Sequence, residues 1–389
     1  MGARAWVTAF LAVAIAGGWP AHAGKTAAID AQRARLGDVV KLMMAQGAPR
    51  VVVSQKIADR EVTFAAKGIS PAAALRWFSR VEKLLVEEDE KGRLALSPPE
   101  EVRSLEKTYK VTKLAPTKEA ADGLAAFLEG TILRLYPHRE ADENGARLPR
   151  LEVECEPGKL RVVAPLMAQR EVVALLNTMV SARSGRGYKQ VAVRYRSTEI
   201  GFLSERNAPP APKLEGQVEL EAGSVEAWQA AWRLTRAAGM SFYVDPWDDA
   251  LVKAQVRLAA GKASLGSVVG SLREQLGARL RWYDGAWVFC RQGREALFGD
   301  YLMRAYNLSG TGPFVRSFMG ITRNLVRPRS LPSSVPSAFE RVGEDLWLLG
   351  APSAWHDPLE EFLKRPAEPW RRPEWRDRGP GRRPGRGRW

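Results

Sequence analysis

The chain has 389 residues, too many for one small core and enough for several domains of about 70 to 150 residues. Its hydrophobic fraction of 45% and charged fraction of 26% exclude a chain that is disordered throughout. Lys+Arg 59 against Asp+Glu 44 gives a formal charge of +15, which predicts attraction to something anionic: envelope polymer, phospholipid headgroups, nucleic acid or an acidic protein.

The first 23 residues place Arg4 before the apolar run "AWVTAFLAVAIAGG" and the small-x-small site "AHA", Ala21 to Ala23. This is the layout of a cleaved signal peptide, and the run is short for a membrane span. No cysteine follows the site, so no lipid anchor is expected. The expectation is a periplasmic or secreted protein.

Residues 24–105 read as strand, helix, two strands, helix, hairpin. Leu36, Val39, Val40 and Met43 mark an amphipathic helix ending near Gly47, and "RVVVS" follows as a strand. Val62, Phe64 and Ala66 alternate with Glu61, Thr63 and Ala65, the period of a strand with one buried face. Ser70 is placed to cap the next helix, with Pro71 at its first position, where a missing N–H costs nothing. "LLVEEDEKGRLAL" is a hairpin whose acidic tip reads as a solvated turn rather than a carboxylate pair for catalysis.

Residues 106–184 read as strand, helix, strand, strand, helix: "TYKVTKL", "KEAADGLAAFLEG", "LEVEC", "KLRVVAP" and "AQREVVALLNTMV". Residues 185–213 hold the strand "YKQVAVRYRSTEIGF" and most of the Pro-rich linker "NAPPAPKLEG", whose last three residues open the next unit.

At residues 214–294 the first pattern returns. "VEAWQAAWRLTRAAG" leads into "MSFYVD", then Val256 and Leu258 alternate with Gln255 and Arg257. Ser264 caps a helix carrying Leu265, Val268, Val269, Leu272 and Leu276 on one face. "LRWYDGAWVF" closes the unit as a hairpin, with Asp284-Gly285 as its tight-turn signal. Trp228 and Trp232, one helical turn apart, and Trp282 and Trp287, flanking that turn, read as core of this unit, with a carbohydrate platform as the alternative.

Residues 295–366 repeat the second pattern: "MRAYNLSG", a helix near "PFVRSFMGITRNL", "AFERV", "DLWLLGAP" and "DPLEEFLKR". The fold expected is therefore α+β: a two-domain module in tandem duplication, four small mixed α/β domains in a row.

This order resembles a known family. Residues 24–105 and 214–294 resemble the secretin and TonB N-terminal short domain, with its helix, its "V-x-F/L" strand and its serine-led helix. Residues 106–184 and 295–366 are similar to the ring-forming periplasmic domains of secretins, with their βαββα order. "YKQVAVRYRSTEIGF" is similar to the strand that leads into a secretin pore, yet the linker and a second module follow where barrel strands belong, so pore formation is not implied. The resemblance implies exported envelope modules that dock on partner proteins or on copies of themselves, without catalysis. Edge-strand pairing or helix-face packing would be the physical basis.

The search for chemistry points the same way. "LAAGKAS", Leu258 to Ser264, fails as a phosphate loop: Val256 stands where a Gly is required and Ala263 where a hydroxyl is required. His22, His138 and His356 are scattered, without a Cys or carboxylate motif at ligand spacing, so no metal site and no cofactor is expected. Cys155 and Cys290 read as two small buried hydrophobes, with a single disulfide left open.

Residues 367–389 form a tail rich in Arg, Pro, Gly and Trp without a periodic apolar face, expected to be disordered. Eight arginines, Arg371, Arg372, Arg376, Arg378, Arg382, Arg383, Arg386 and Arg388, against three acidic residues leave +5. With Trp370, Trp375 and Trp389 between them, they are candidates for binding an anionic polymer through charge and stacking; a solubilising tail without a ligand is the alternative. Nucleic acid is not an expected partner of an exported chain.

Two functions follow as expectations. One is a non-catalytic adaptor or scaffold of the cell envelope, docking on proteins of a secretion-like or signalling assembly and able to self-associate. The other is an anionic-polymer (saccharide or lipid headgroup) binding protein acting through its basic tail.

Overall fold

The computed structural model describes residues 26–88, 93–132, 140–141, 147–183, 187–193, 210–292, 301–308, 338–343, 346–352, 356, 359 and 361. The first segment runs β1 (Ala28–Arg35), α1 (Leu36–Ala45), β2 (Val51–Val53), α2 (Gln55–Ala58), β3 (Glu61–Lys67), α3 (Pro71–Val81), β4 (Leu85–Glu88) and β5 (Leu94–Ser97). β1 pairs antiparallel with β3 across a bulge between Ala31 and Ala34. The three short strands form a sheet in the order β2-β5-β4, with β2 parallel to β5 and β4 antiparallel to it. Local chemistry sets the helix starts: Ser70 Oγ accepts from the Ala73 N–H at 3.2 Å, and Pro71 opens α3.

The second segment comprises β6 (Leu105–Lys110), α4 (Lys118–Gly130), β7 (Glu140–Ala141), β8 (Arg147–Leu148), β9 (Glu152–Glu156), β10 (Lys159–Ala164) and α5 (Leu166–Arg183). Its sheet has the order β6-β10-β9, antiparallel throughout. β11 (Gly187–Val193) follows.

The third segment is β12 (Gln217–Leu220), β13 (Gly223–Glu226), α6 (Ala227–Ala238), β14 (Phe242–Val244), α7 (Asp249–Val252), β15 (Gln255–Leu258), β16 (Gly261–Ser264), α8 (Leu265–Leu276), β17 (Ala278–Tyr283) and β18 (Ala286–Arg291). Its pairings match those of the first segment. β12 and β13 lie antiparallel to β16 and β15, as β1 lies to β3. β14 runs parallel to β18 and β17 antiparallel to it, as in the sheet β2-β5-β4. Ser264 Oγ accepts from the Ser267 N–H at 3.2 Å at the start of α8.

The fourth segment has β19 (Tyr301–Asn307), β20 (Ala338–Val342) and β21 (Leu346–Pro352). The sheet order is β11-β19-β21-β20, so the strand that precedes the Pro-rich linker is the edge of the fourth segment's sheet. The helix expected near "PFVRSFMGITRNL" lies outside the described residues.

The architecture is α+β, and its cores are shared between segments distant in sequence. One cluster joins Leu36, Phe64, Trp77 and Phe78 of the first segment to Tyr243, Ala286, Val288 and Cys290 of the third. A second joins Leu124, Phe127, Val172 and Leu175 of the second segment to Met303, Ala305, Val342 and Leu348 of the fourth, and also takes in Leu85. The third cluster, around Leu234, Phe242, Val256 and Phe289, belongs to the third segment alone. The second and fourth segments meet closely at α4 and β20. A Cβ on Gly123 would collide with the carbonyl oxygen of Arg341, and one on Gly130 would lie 2.9 Å from the Ala338 Cβ, so two glycines seven residues apart let helix and strand touch.

Candidate functional site

The interface between the first and third segments holds one of the buried polar clusters among the described residues. Every residue of α3 from Ala73 to Arg80 is buried, although the sequence of that helix has a polar face. Arg76, 1% exposed, donates from Nε to Asp284 Oδ2 at 2.7 Å and also from its terminal nitrogen to Oδ1, a two-pronged grip on one carboxylate. Arg80 adds an ion pair to Asp284 Oδ2 at 3.0 Å, and its guanidinium lies over the rings of Trp77, at 4.5 Å, and Tyr283, at 5.1 Å. The Trp77 indole stacks on the Tyr243 ring at 4.5 Å and donates to the Asp284 carbonyl at 3.1 Å.

The hairpin turn makes this grip possible. Asp284 and Gly285 both have positive φ, 51° and 77°, the mirror-image turn that follows the twist of a two-stranded ribbon. A Cβ at Gly285 would stand 3.1 Å from Ile69 Cγ2, so the tip of the turn packs closely against the first segment. Main-chain bonds extend the contact. Ser241 Oγ accepts from the Lys67 N–H and donates to the Lys67 carbonyl, both at 2.9 Å, and the Tyr243 hydroxyl donates to the Ala65 carbonyl at 3.0 Å. Burial pushes the Tyr243 hydroxyl far above the usual tyrosine range, so it serves as a fixed donor. Two exposed ion pairs, Arg236 to Asp30 at 2.9 Å and Lys83 to Asp249 at 2.7 Å, flank the buried centre.

Beside this interface is a half-open groove of about 420 Å³, walled by Thr63, Phe64, Trp228, Trp232, Tyr243 and Val244. Trp228 and Trp232, read from sequence as core of the third segment, line this groove and are only partly buried, because the face of α6 that carries them turns toward β3. Trp287 does pack against the third core, and Trp282 meets it edge-on at 5.3 Å.

One acidic residue of the hairpin, Glu87, lies in β4 below the tip and is not solvated. Glu87 is 8% exposed and accepts the Met167 N–H at 3.2 Å, because α5 covers the outer face of β4. Asp89 to Gly92 lie outside the described residues. His356 is buried with both ring nitrogens engaged: Nε2 lies 3.1 Å from the Leu302 carbonyl, which only accepts, so Nδ1 accepts from the Tyr306 hydroxyl at 2.9 Å. That leaves no lone pair for a metal. Among the described residues no three His, Cys, Asp or Glu side chains converge as metal ligands. His138 and the eight tail arginines, Arg371 to Arg388, lie outside the described residues. Cys155 and Cys290 are free thiols in different clusters, and burial with nearby acids raises Cys155 to about 11, which keeps it protonated and unreactive at neutral pH. No helix among the described residues is long and apolar enough to cross a membrane.

No protein-family model matches the chain, and no curated protein matches it. Among solved structures, the chain is similar to a focused refinement of InvG N0N1 with SpaPQR and PrgHK from the Salmonella SPI-1 injectisome base, at TM-score 0.21 and 16% identity over 40% of this chain and 94% of that one. It is also similar to an atomic model of the Salmonella SPI-1 basal body proteins InvG, PrgH and PrgK, at TM-score 0.21 and 13% identity, over 67% of this chain and 41% of that one. Overlap at this level says nothing about the site.

Proposed function

We propose that the protein is an exported, non-catalytic adaptor or scaffold of the bacterial cell envelope that docks on protein components of a secretion-like or envelope signalling assembly. The observation that carries this reading is the recurrence of one element order and one pairing pattern in the first and third segments, joined by the buried grip of Arg76 and Arg80 on Asp284. Buried charge there is spent on holding two protein modules in a fixed relation, and its groups bond to each other rather than face a cavity. A chain in which two modules are held together presents two linked surfaces, so a second contact with the same assembly becomes intramolecular. The resemblance to secretin and TonB short domains supplies the envelope setting.

The test is a crosslinking pull-down from envelope fractions with the full chain and with a chain ending at Pro366. Recovery of the same secretion or membrane components by both, insensitive to moderate salt, supports the adaptor. If anionic polymer alone is retained, and only by the full chain at low salt, the basic tail is the functional element and the adaptor is rejected.

A further inference from the structure

A second buried charge cluster lies where the first segment's hairpin meets the second segment's long helix. Glu171, on α5, is 1% exposed, and both its carboxyl oxygens are buried without a hydrogen-bond partner. One turn earlier on the same helix, the Met167 N–H is held by Glu87 of β4. This is a helix-start cap supplied by a different segment, and it joins the pair formed by the first and third segments to the pair formed by the second and fourth.

The charged groups around Glu171 are few. α5 packs on β4, β10, β11, β19 and β21. β4 offers Glu87. On β10, Lys159 is exposed and Arg161 is engaged with Glu106, Glu152 and Glu154. β19 offers the buried Arg304, β21 carries no charged residue, and the side chains of β11 and of Glu88 lie outside the described residues. On α5 itself Arg170 is exposed and Arg183 donates to the Leu114 carbonyl. Of these, Glu87 is the group whose charge acts on Glu171, and it opposes ionisation. Burial foremost, and the Glu87 charge after it, hold the Glu171 carboxyl well above the usual carboxylate range.

We propose that the contact between β4 and the first turn of α5 is a proton-held latch. With Glu171 neutral, Glu87 keeps its bond to Met167 and the hairpin stays seated on the helix. When Glu171 loses its proton, two like charges share an apolar interface in which neither oxygen of Glu171 has a donor, and the contact opens toward water. The closed form binds the proton more tightly than the open one. The latch is therefore complete below the ordinary carboxylate value near 4.5 and is lost as the pH rises through the raised value of the closed form. This inference stands apart from the adaptor reading and survives its failure.

Amide hydrogen exchange on the full chain, followed at Leu85 to Glu87 and Met167 to Val172 across a pH series and corrected for intrinsic rates, tests it. One proton changes an opening equilibrium by at most about tenfold per pH unit. Protection at these amides should fall by up to that factor per unit as the pH rises from the ordinary carboxylate value near 4.5 toward the raised value of the closed form, while the third segment's core amides stay constant. In Glu171→Gln, neutral at every pH and of the same shape, protection should stay flat. Equal pH dependence in wild type and Glu171→Gln overturns the latch. Glu87→Gln, which keeps an acceptor for Met167 but removes the like charge, gives an independent reading. There the loss should begin at the same pH but level off at lower pH and at a smaller total extent than in wild type, because Glu171 in the closed form ionises without the opposing charge; a loss that levels off where the wild type's does also overturns the latch.

Discussion

Two three-stranded sheets of the same topology meet different fates on their outer faces. In β14-β18-β17 the central residue of the parallel edge strand, Tyr243, is 7% exposed under Trp77. In β2-β5-β4 the corresponding residue, Val52, is 50% exposed, and only the β4 end of that face is covered, by α5 through Leu85 and Glu87. The same strand order therefore does not dictate the same burial. What lies on the second face depends on which distant segment reaches it, and on whether that segment brings an aromatic and an arginine or merely a helix end.

Substitutions sharpen the contrast. Asp284→Ala leaves Arg76 and Arg80 buried without their carboxylate and should cost about 3–5 kcal/mol in equilibrium unfolding. Tyr243→Ala, which empties the stack on Trp77 and frees the Ala65 carbonyl, belongs in the same range, about 3–5 kcal/mol. Gly123→Ala pushes α4 off β20 and should destabilise by about 1–3 kcal/mol, read as a lower unfolding midpoint, with the loss of protection centred on the second and fourth segments. Val52→Thr, at the position matching Tyr243, should change stability by no more than about 0.5 kcal/mol. A Val52 effect as large as that of Tyr243 would mean that β2 has a covering partner and that the two sheets are alike.

Much of the local structure was legible because it rests on neighbours in sequence. Ser70 with Pro71, Ser264, and the Asp284-Gly285 turn each act within a few residues, and each stands where the pattern places it. The pairing of segments was not legible. Arg76, Ser79 and Arg80 look like a solvent face because the group that satisfies the arginines is 200 residues or so away in the chain, and no local periodicity encodes that distance. Trp228 and Trp232 failed as core residues for the same reason: their spacing shows that they share a helix face, not which segment that face meets. Glu87 illustrates the converse, an acidic residue in a turn-like run that a helix from the next segment buries. Asp284 carried a detectable signal, since a turn aspartate explains its own φ, but nothing nearby announced that its carboxylate binds two arginines.

The account rests most heavily on the grip between α3 and the β17–β18 turn. The most direct measurement is a double-mutant cycle of Arg76→Ala and Asp284→Ala by equilibrium unfolding. If the two side chains act as one unit across the interface, the double variant should be little worse than either single one, with a coupling energy of about 2–3 kcal/mol. Additive losses, within about 0.5 kcal/mol, would mean that the two residues do not meet and that the first and third segments are not joined in this way.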